Sequence, residues 1–175
     1  DATHDTRIFA LSMLLSSAFF YNIVGTIDEA ALSTLRVVTD FASMMVGGIG
    51  DDSAIHEHMP TFHMLVRDMS LRLERPNGTP MSPCEWLESI LSSESSPTTL
   101  TNANDKASVR GAIKRLFPQR GCFTLPRPSG DETVLAQMDS LSDEHLSPGF
   151  LEGVSQLRRH LLDVPAKHVC GEAVT

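Results

Sequence analysis

Three short apolar runs punctuate a chain that otherwise reads as helix and loop. Ser17 to Val24 carries Phe19, Phe20, Tyr21, Ile23 and Val24, Thr61 to Arg67 carries Phe62, Met64, Leu65 and Val66, and Cys122 to Leu125 is the third. Aromatic and β-branched residues suit a pleated, half-buried surface, so each run predicts a core strand. Between them apolar residues recur at helical spacing, as at Ala31, Leu32, Leu35, Val38 and Phe41. The predicted order is helix, strand, helix, strand, helix, helix, strand, helix. Strands alternating with helices imply an α/β fold with a parallel sheet. Three strands is a small number for such a sheet, because both faces and both edges need cover.

Local signals set the expected boundaries. A helix runs from Asp5 to about Leu15. Thr26-Ile27-Asp28-Glu29 has the spacing of a capping box, with a helix following to about Met45. Gly47 to Glu57 reads as loop, and Arg75-Pro76-Asn77-Gly78 as a turn. Ser82-Pro83-Cys84-Glu85 repeats the cap logic, with proline at the first helical position, and opens a helix to about Leu91. Ser92 to Asn104 is Ser/Thr/Asn-rich loop, and the next helix, from about Lys106 to Leu116, stops at Pro118. Pro126-Arg127-Pro128 ends the third strand and a polar loop covers Ser129 to Ser142. Ser147-Pro148 opens an amphipathic helix bearing Phe150, Leu151, Val154, Leu157 and Leu161 on one face. The tail from Pro165 reads as frayed.

A length of 175 residues suits one domain, with residues 1–175 read as a single unit. The net charge of −8 and pI near 5.2 argue against nucleic-acid binding, which needs phosphate neutralisation. The one locally basic stretch, Arg110 to Arg120, reads as a solvated helix face. Cys84, Cys122 and Cys170 are odd in number and widely spaced, which fits a reducing compartment such as the cytoplasm. Ile8 to Ile27 lacks any charge and is long enough to span a bilayer. Its Ser12, Ser16, Ser17, Asn22 and Gly25, and the lack of a flanking basic cluster, favour a helix followed by a buried strand.

His56-Glu57-His58, with His63 nearby, has alternate-residue spacing that invites a metal, but the segment reads as solvated loop with no third ligand fixed, so no metal site is expected. Cys84 and Cys122 read as inert thiols, and Ser16-Ser17 and Ser92-Ser93 lack a GxSxG context. Met44, Met45, Met59, Met64, Met69 and Met81 read as core filler.

Leu65-Val66-Arg67-Asp68 carries the chemistry. It puts Arg and Asp where a strand ends, and open α/β sheets bind ligands just outside the carboxyl ends of their strands. A carboxylate there can accept two hydrogen bonds, from N1–H and the 2-amino group of guanine. Adenine offers neither and leaves the carboxylate unpaired, a basis for discrimination of roughly 10⁴-fold. Read alone, Asp68 is better read as a surface carboxylate that pairs with Arg67 or caps the next turn.

Four motifs then line up in order. They are Ile8-Phe9-Ala10-Leu11 with Leu14-Leu15-Ser16-Ser17 and Tyr21-Asn22; Gly25 to Leu32; Val66-Arg67-Asp68 with Ser70-Leu71; and Arg115-Leu116-Phe117-Pro118 with Cys122-Phe123 and Arg127-Pro128. From about Asp5 to Ala166 the chain resembles the second half of the GTPase domain of the guanylate-binding protein and atlastin family of dynamin-like large GTPases, its plant and protist guanylate-binding-like branch above all. The resemblance implies the C-terminal half of a P-loop-type doubly wound parallel sheet. It implies that Arg67 and Asp68 replace the Asn-Lys-x-Asp element of small GTPases, with Asp68 on the guanine edge, the Arg67 stem over the ring, and Val66, Arg127 and Pro128 alongside. The segment from Pro126 to about Ser147 matches the family's guanine cap, a surface for homodimerisation.

The resemblance further implies GTP or GDP with Mg²⁺ in the intact domain, and membrane association only through parts not found in this sequence. The family's GxxxxGK(S/T) loop and its Asp-x-x-Gly element do not occur here. The expectation is therefore a fragment with no catalytic residue of its own. It either serves as the guanine-recognition half of a GTPase or acts as an inert interaction module. In the family's sheet order 2-3-1-4-5-6 the three strands would be 4-5-6, and the innermost, Ser17 to Val24, would expose an apolar edge.

Overall fold

The computed structural model describes residues 2–38, 40, 56, 58–93, 103–140, 142–169, 172 and 173. Expectations for the helix beyond residue 40, most of the loop at 47–57, residues 94–102, Met44, Met45 and Cys170 lie outside them. The described chain runs α1 (Ala2–Leu15), β1 (Ala18–Val24), α2 (Glu29–Thr34), β2 (Thr61–Arg67), α3 (Pro83–Ser92), α4 (Ala103–Leu116), β3 (Arg120–Thr124), α5 (Glu132–Leu135), two 3₁₀ turns, α6 (Pro148–Asp163), and the two-residue strands β4 (His168–Val169) and β5 (Glu172–Ala173).

The three long strands form one open parallel sheet in the order β1-β2-β3. Phe19 lies opposite Phe62, Asn22 opposite Leu65 and Val24 opposite Arg67. Side chains alternate faces along each strand. One face carries Phe19 and Phe62, and Phe62 in turn stacks on Phe117 at a centroid distance of 4.9 Å. With Met64, Val66, Leu87, Ile113 and Leu116, all at most 1% exposed, these residues form the core beneath the helices. Burial of several such side chains, each contributing about 1.5–3 kcal/mol, is what holds the layers together. Met59, Met64 and Met69 belong to that core, as the sequence led one to expect, whereas Met81 is only partly buried and lies outside it.

The opposite face carries Phe20, His63 and Phe123, covered in part by α6. His160 of α6 inserts among them, with ring centroids 4.5 Å from His63 and 5.0 Å from Phe123. Its Nε2 lies 3.0 Å from His63 Nε2. A Cβ on Gly121, the β3 neighbour of His63, would come within 2.9 Å of His63 Nδ1, so only glycine lets the imidazole lie flat there.

Several local expectations need correction. The helix α2 is capped by Asp28, whose carboxylate accepts from Ala31 N–H at 2.8 Å, and not by Thr26. Glu29 does not reach back to Thr26 but pairs with Arg110 at 2.6 Å. The stretch from Arg110 to Arg120 is accordingly a solvated face only in part: Lys114 and Arg115 are exposed, whereas Arg110 and Arg120 are not. Arg110 is 5% exposed and also donates to the Ile90 carbonyl. Arg120 grips both Glu88 oxygens, at 2.6 and 2.8 Å. The third strand spans Arg120–Thr124 rather than Cys122 to Leu125. The loop from Ser129 contains α5 and a 3₁₀ turn at Met138–Ser140.

The tail is not frayed at its start. Lys167 is buried, and its ammonium donates to the carbonyls of Met13 and Leu14 at 3.1 and 2.8 Å. A cation there satisfies carbonyls that the end of α1 leaves open. The capping box at Ser82 is present as expected. Ser82 Oγ accepts from Glu85 N–H and a Glu85 oxygen accepts from Ser82 N–H, which holds the Glu85 carboxyl below its ordinary range. The uncharged run from Ile8 to Ile27 is α1 followed by β1. Among the described residues no helix is long and apolar enough to cross a membrane.

Candidate functional site at the carboxyl ends of the strands

The sheet ends in a braced turn. Leu125 N–H donates to the Val66 carbonyl at 2.8 Å, and the Leu125 carbonyl accepts from Met69 N–H at 3.1 Å. These two bonds bracket Arg67 and Asp68, so the pair cannot move without breaking the link to β3. On the other side Gly25 N–H donates to the Arg67 carbonyl at 2.7 Å. The dipeptide is thus tied to both neighbouring strands at the sheet's carboxyl edge, where ligands of open α/β sheets bind.

Asp68 has φ of 54° and is, among the described residues, the one non-glycine residue in the left-handed region. Asp tolerates that region better than most residues, at a cost of order 1 kcal/mol or more. The turn keeps the carboxylate exposed at the rim instead of letting it continue the strand's alternation. Arg67 is exposed as well, and it does not pair with Asp68. Its Nε donates to Asn22 Oδ1 of β1 at 2.8 Å. Val66 is fully buried on the core face, so its side chain faces away from the rim and only its backbone contributes to the turn.

Arg127 and Pro128 follow Leu125 by two and three residues and so stand beside the same edge. Arg127 pairs with Glu132 at 2.7 Å and is about half exposed. Ser147 closes the segment between them: its N–H donates to the Pro128 carbonyl at 2.7 Å and its hydroxyl to the Arg127 carbonyl at 3.1 Å. Asp131 caps α5 by accepting from Thr133 N–H and hydroxyl, which holds its carboxyl below the ordinary range. Ser147 therefore pins the end of this segment back to its own start at Arg127 and Pro128.

The other sequence candidates lie elsewhere. His56 Nε2 is 2.6 Å from the Arg115 carbonyl, and His63 lies in the ring cluster under α6. Among the described residues no three His, Cys, Asp or Glu side chains are grouped to hold a metal ion. Cys84 is exposed, and Cys122 is buried, its thiol pushed up to about 12 by burial first and by Cys84 second, which suits an unreactive core thiol. A cavity among His56, Met59, Pro60 and Gln119 opens at the amino end of β2, the wrong end for this site.

Asn22 was not singled out by its chemistry. The available signal was its presence in a strand of aromatic and β-branched neighbours, where Asn is disfavoured.

Comparison with known proteins shows the family. Residues 1–169 match the family model described as guanylate-binding protein, N-terminal domain. The chain is 33% identical to guanylate-binding protein 2 of Mus musculus over 179 residues, covering 98% of this chain and 30% of that protein. It is 34% identical to guanylate-binding protein 6 of Homo sapiens over 161 residues, covering 87% of this chain and 25% of that protein. To guanylate-binding protein 2 of Homo sapiens it is 33% identical over 174 residues, 93% of this chain and 28% of that one. The chain thus spans less than a third of the length of these relatives. With the ordered motifs, the parallel sheet and matches over most of its length, the chain belongs to the guanylate-binding protein family of large GTPases.

Proposed function

We propose that this chain supplies the guanine-recognition half of a GTP-binding and GTP-hydrolysing domain, with Asp68 as the base reader. The observation that carries the reading is the braced, left-handed turn that holds an exposed carboxylate at the carboxyl edge of the sheet. Two carboxylate oxygens match the two parallel donors of guanine, and hydrogen bonds to a charged group contribute about 1.5–3 kcal/mol each. The Arg67 stem forms a platform at the ring, and Arg127 with Pro128 borders it.

The nucleotide would be GTP or GDP with Mg²⁺. The residues for phosphates and Mg²⁺, which supply most of the affinity and the in-line hydrolysis, are not assigned among those described. The chain by itself is then a weak nucleotide binder and hydrolytically inert, acting in the cytoplasm as part of a larger domain. A second reading, an interaction module that pairs copies through residues 126–147, draws support from the pinned loop, whose α5 has no buried residue.

The test is Asp68→Asn, which replaces one acceptor by a donor. Xanthine carries a carbonyl where guanine carries its 2-amino group. The variant should lose affinity for GDP by at least about tenfold and gain it for xanthosine diphosphate. A variant that binds both as the parent does would show that Asp68 does not touch the base.

A further inference from the structure

Arg67 and Asn22 share a face of the sheet, because Val24 lies opposite Arg67 and Asn22 opposite Leu65. Asn22 is therefore two residues behind Arg67, toward the amino end of the strands. The bond from Arg67 Nε to Asn22 Oδ1, 2.8 Å long, draws the guanidinium backward along the sheet and away from the turn at Asp68. What remains at the rim is the methylene stem.

We propose that Asn22 is a positioning residue of the base site, one that folds Arg67 back so that its aliphatic stem, and not its charge, faces the guanine ring. This rests on the reading of Asp68 as base reader and adds the reason why the neighbouring arginine makes a flat apolar platform. Arg has several rotatable bonds and rotamer entropy to lose on being fixed. An acceptor already in place on β1 meets that cost before the ligand arrives. Without it the guanidinium ranges through water and holds the platform geometry only part of the time. The remaining ties of Arg67, its carbonyl to Gly25 and its strand pairing, fix only the backbone.

The experiment uses the 175-residue chain with GDP and ADP as probes, read by ligand-observed NMR, together with the Arg67 Nε–H signal of labelled protein. Asn22→Ala should weaken GDP by about three- to tenfold, leave ADP unchanged, and speed solvent exchange of the Arg67 Nε–H. Asn22→Asp keeps the acceptor and should restore both readouts, which a merely structural role for the amide does not predict.

The proposal is overturned if Asn22→Ala binds GDP as the parent does, or if Asn22→Asp is as weak as the alanine variant. Asp68→Asn separates the two levels. If it loses GDP while Asn22→Ala does not, the positioning role alone fails. If Asp68→Asn behaves as the parent, or if the parent binds GDP no better than ADP, the guanine reading fails and this inference with it.

Discussion

Asp68 and Gly25 show how single residues build the rim. Both have positive φ, 54° and 85° respectively, and both follow the last residue of a parallel strand. A Cβ at Gly25 would meet nothing within 4 Å, so an alanine there has room but the wrong backbone preference. Gly25→Ala is expected to cost about 1 kcal/mol in urea unfolding, from backbone strain alone. The sequence marked the end of each strand, because Gly25 and Arg67-Asp68 break the apolar pattern. It could not show the left-handed turn at Asp68, since Asp also caps turns in ordinary conformations, nor the Arg67–Asn22 bond, which depends on the register of two strands far apart in sequence.

At the level of elements, two capping signals with the same spacing had different outcomes. Ser82 and Glu85 form the reciprocal box, while Thr26 and Glu29 do not. Thr26 is still in the turn after β1, with its N–H donating to the Val24 carbonyl, and Glu29 is taken by Arg110 from α4. Tertiary charge pairing overrode a local signal, and that pairing was hidden because Arg110 read as one of a row of solvated bases. Arg110 is buried and Glu29 half exposed, so the two partners should not cost the same. Arg110→Met, which removes the ion pair with Glu29 and one of the donors to the Ile90 carbonyl, should destabilise by about 1–3 kcal/mol, and Glu29→Gln by under about 1 kcal/mol, in thermal unfolding.

The contact of α6 with the sheet makes a second prediction. Burial first, and His160 second, push His63 down to about 4 from its ordinary 6.5. The fold therefore favours neutral His63. Above about pH 6.5 folded and unfolded chains both hold it neutral and nothing is lost. Below that the unfolded chain takes up a proton that the folded one refuses, and stability falls until about pH 4, by about 3 kcal/mol in all. Chemical denaturation between pH 7 and 4.5 should show this slope, and His63→Leu should flatten it.

At the scale of the molecule, the sheet has an open side among the described residues. Among the described residues β1 pairs only with β2, which matches the strand order expected from the resemblance. Ile8, Leu11 and Leu15 of α1 are 53 to 60% exposed, and Val24 at the end of β1 is 59% exposed. An unpaired strand edge and exposed apolar side chains both favour association. Sedimentation of the isolated chain should show self-association that grows with concentration, and Ile8→Glu with Leu11→Glu should reduce it. A monodisperse chain with a single cooperative melt would contradict the expectation.

Class and motif placement were legible because they rest on periodicity and ordered local signals, and the strand order followed from the family resemblance that the motifs carry. The clasp between Lys167 and the end of α1 was not, because it joins residues more than 150 apart.

The most direct measurement of the central claim is the affinity of this chain for GDP, IDP and ADP at millimolar nucleotide, read as ratios by ligand-observed NMR. Inosine keeps N1–H and lacks the 2-amino group, so each of the two Asp68 contacts is removed in turn. GDP should bind more tightly than IDP by about tenfold, and IDP more tightly than ADP by a similar factor. Equal affinity for all three would contradict the assignment of Asp68 as the guanine reader.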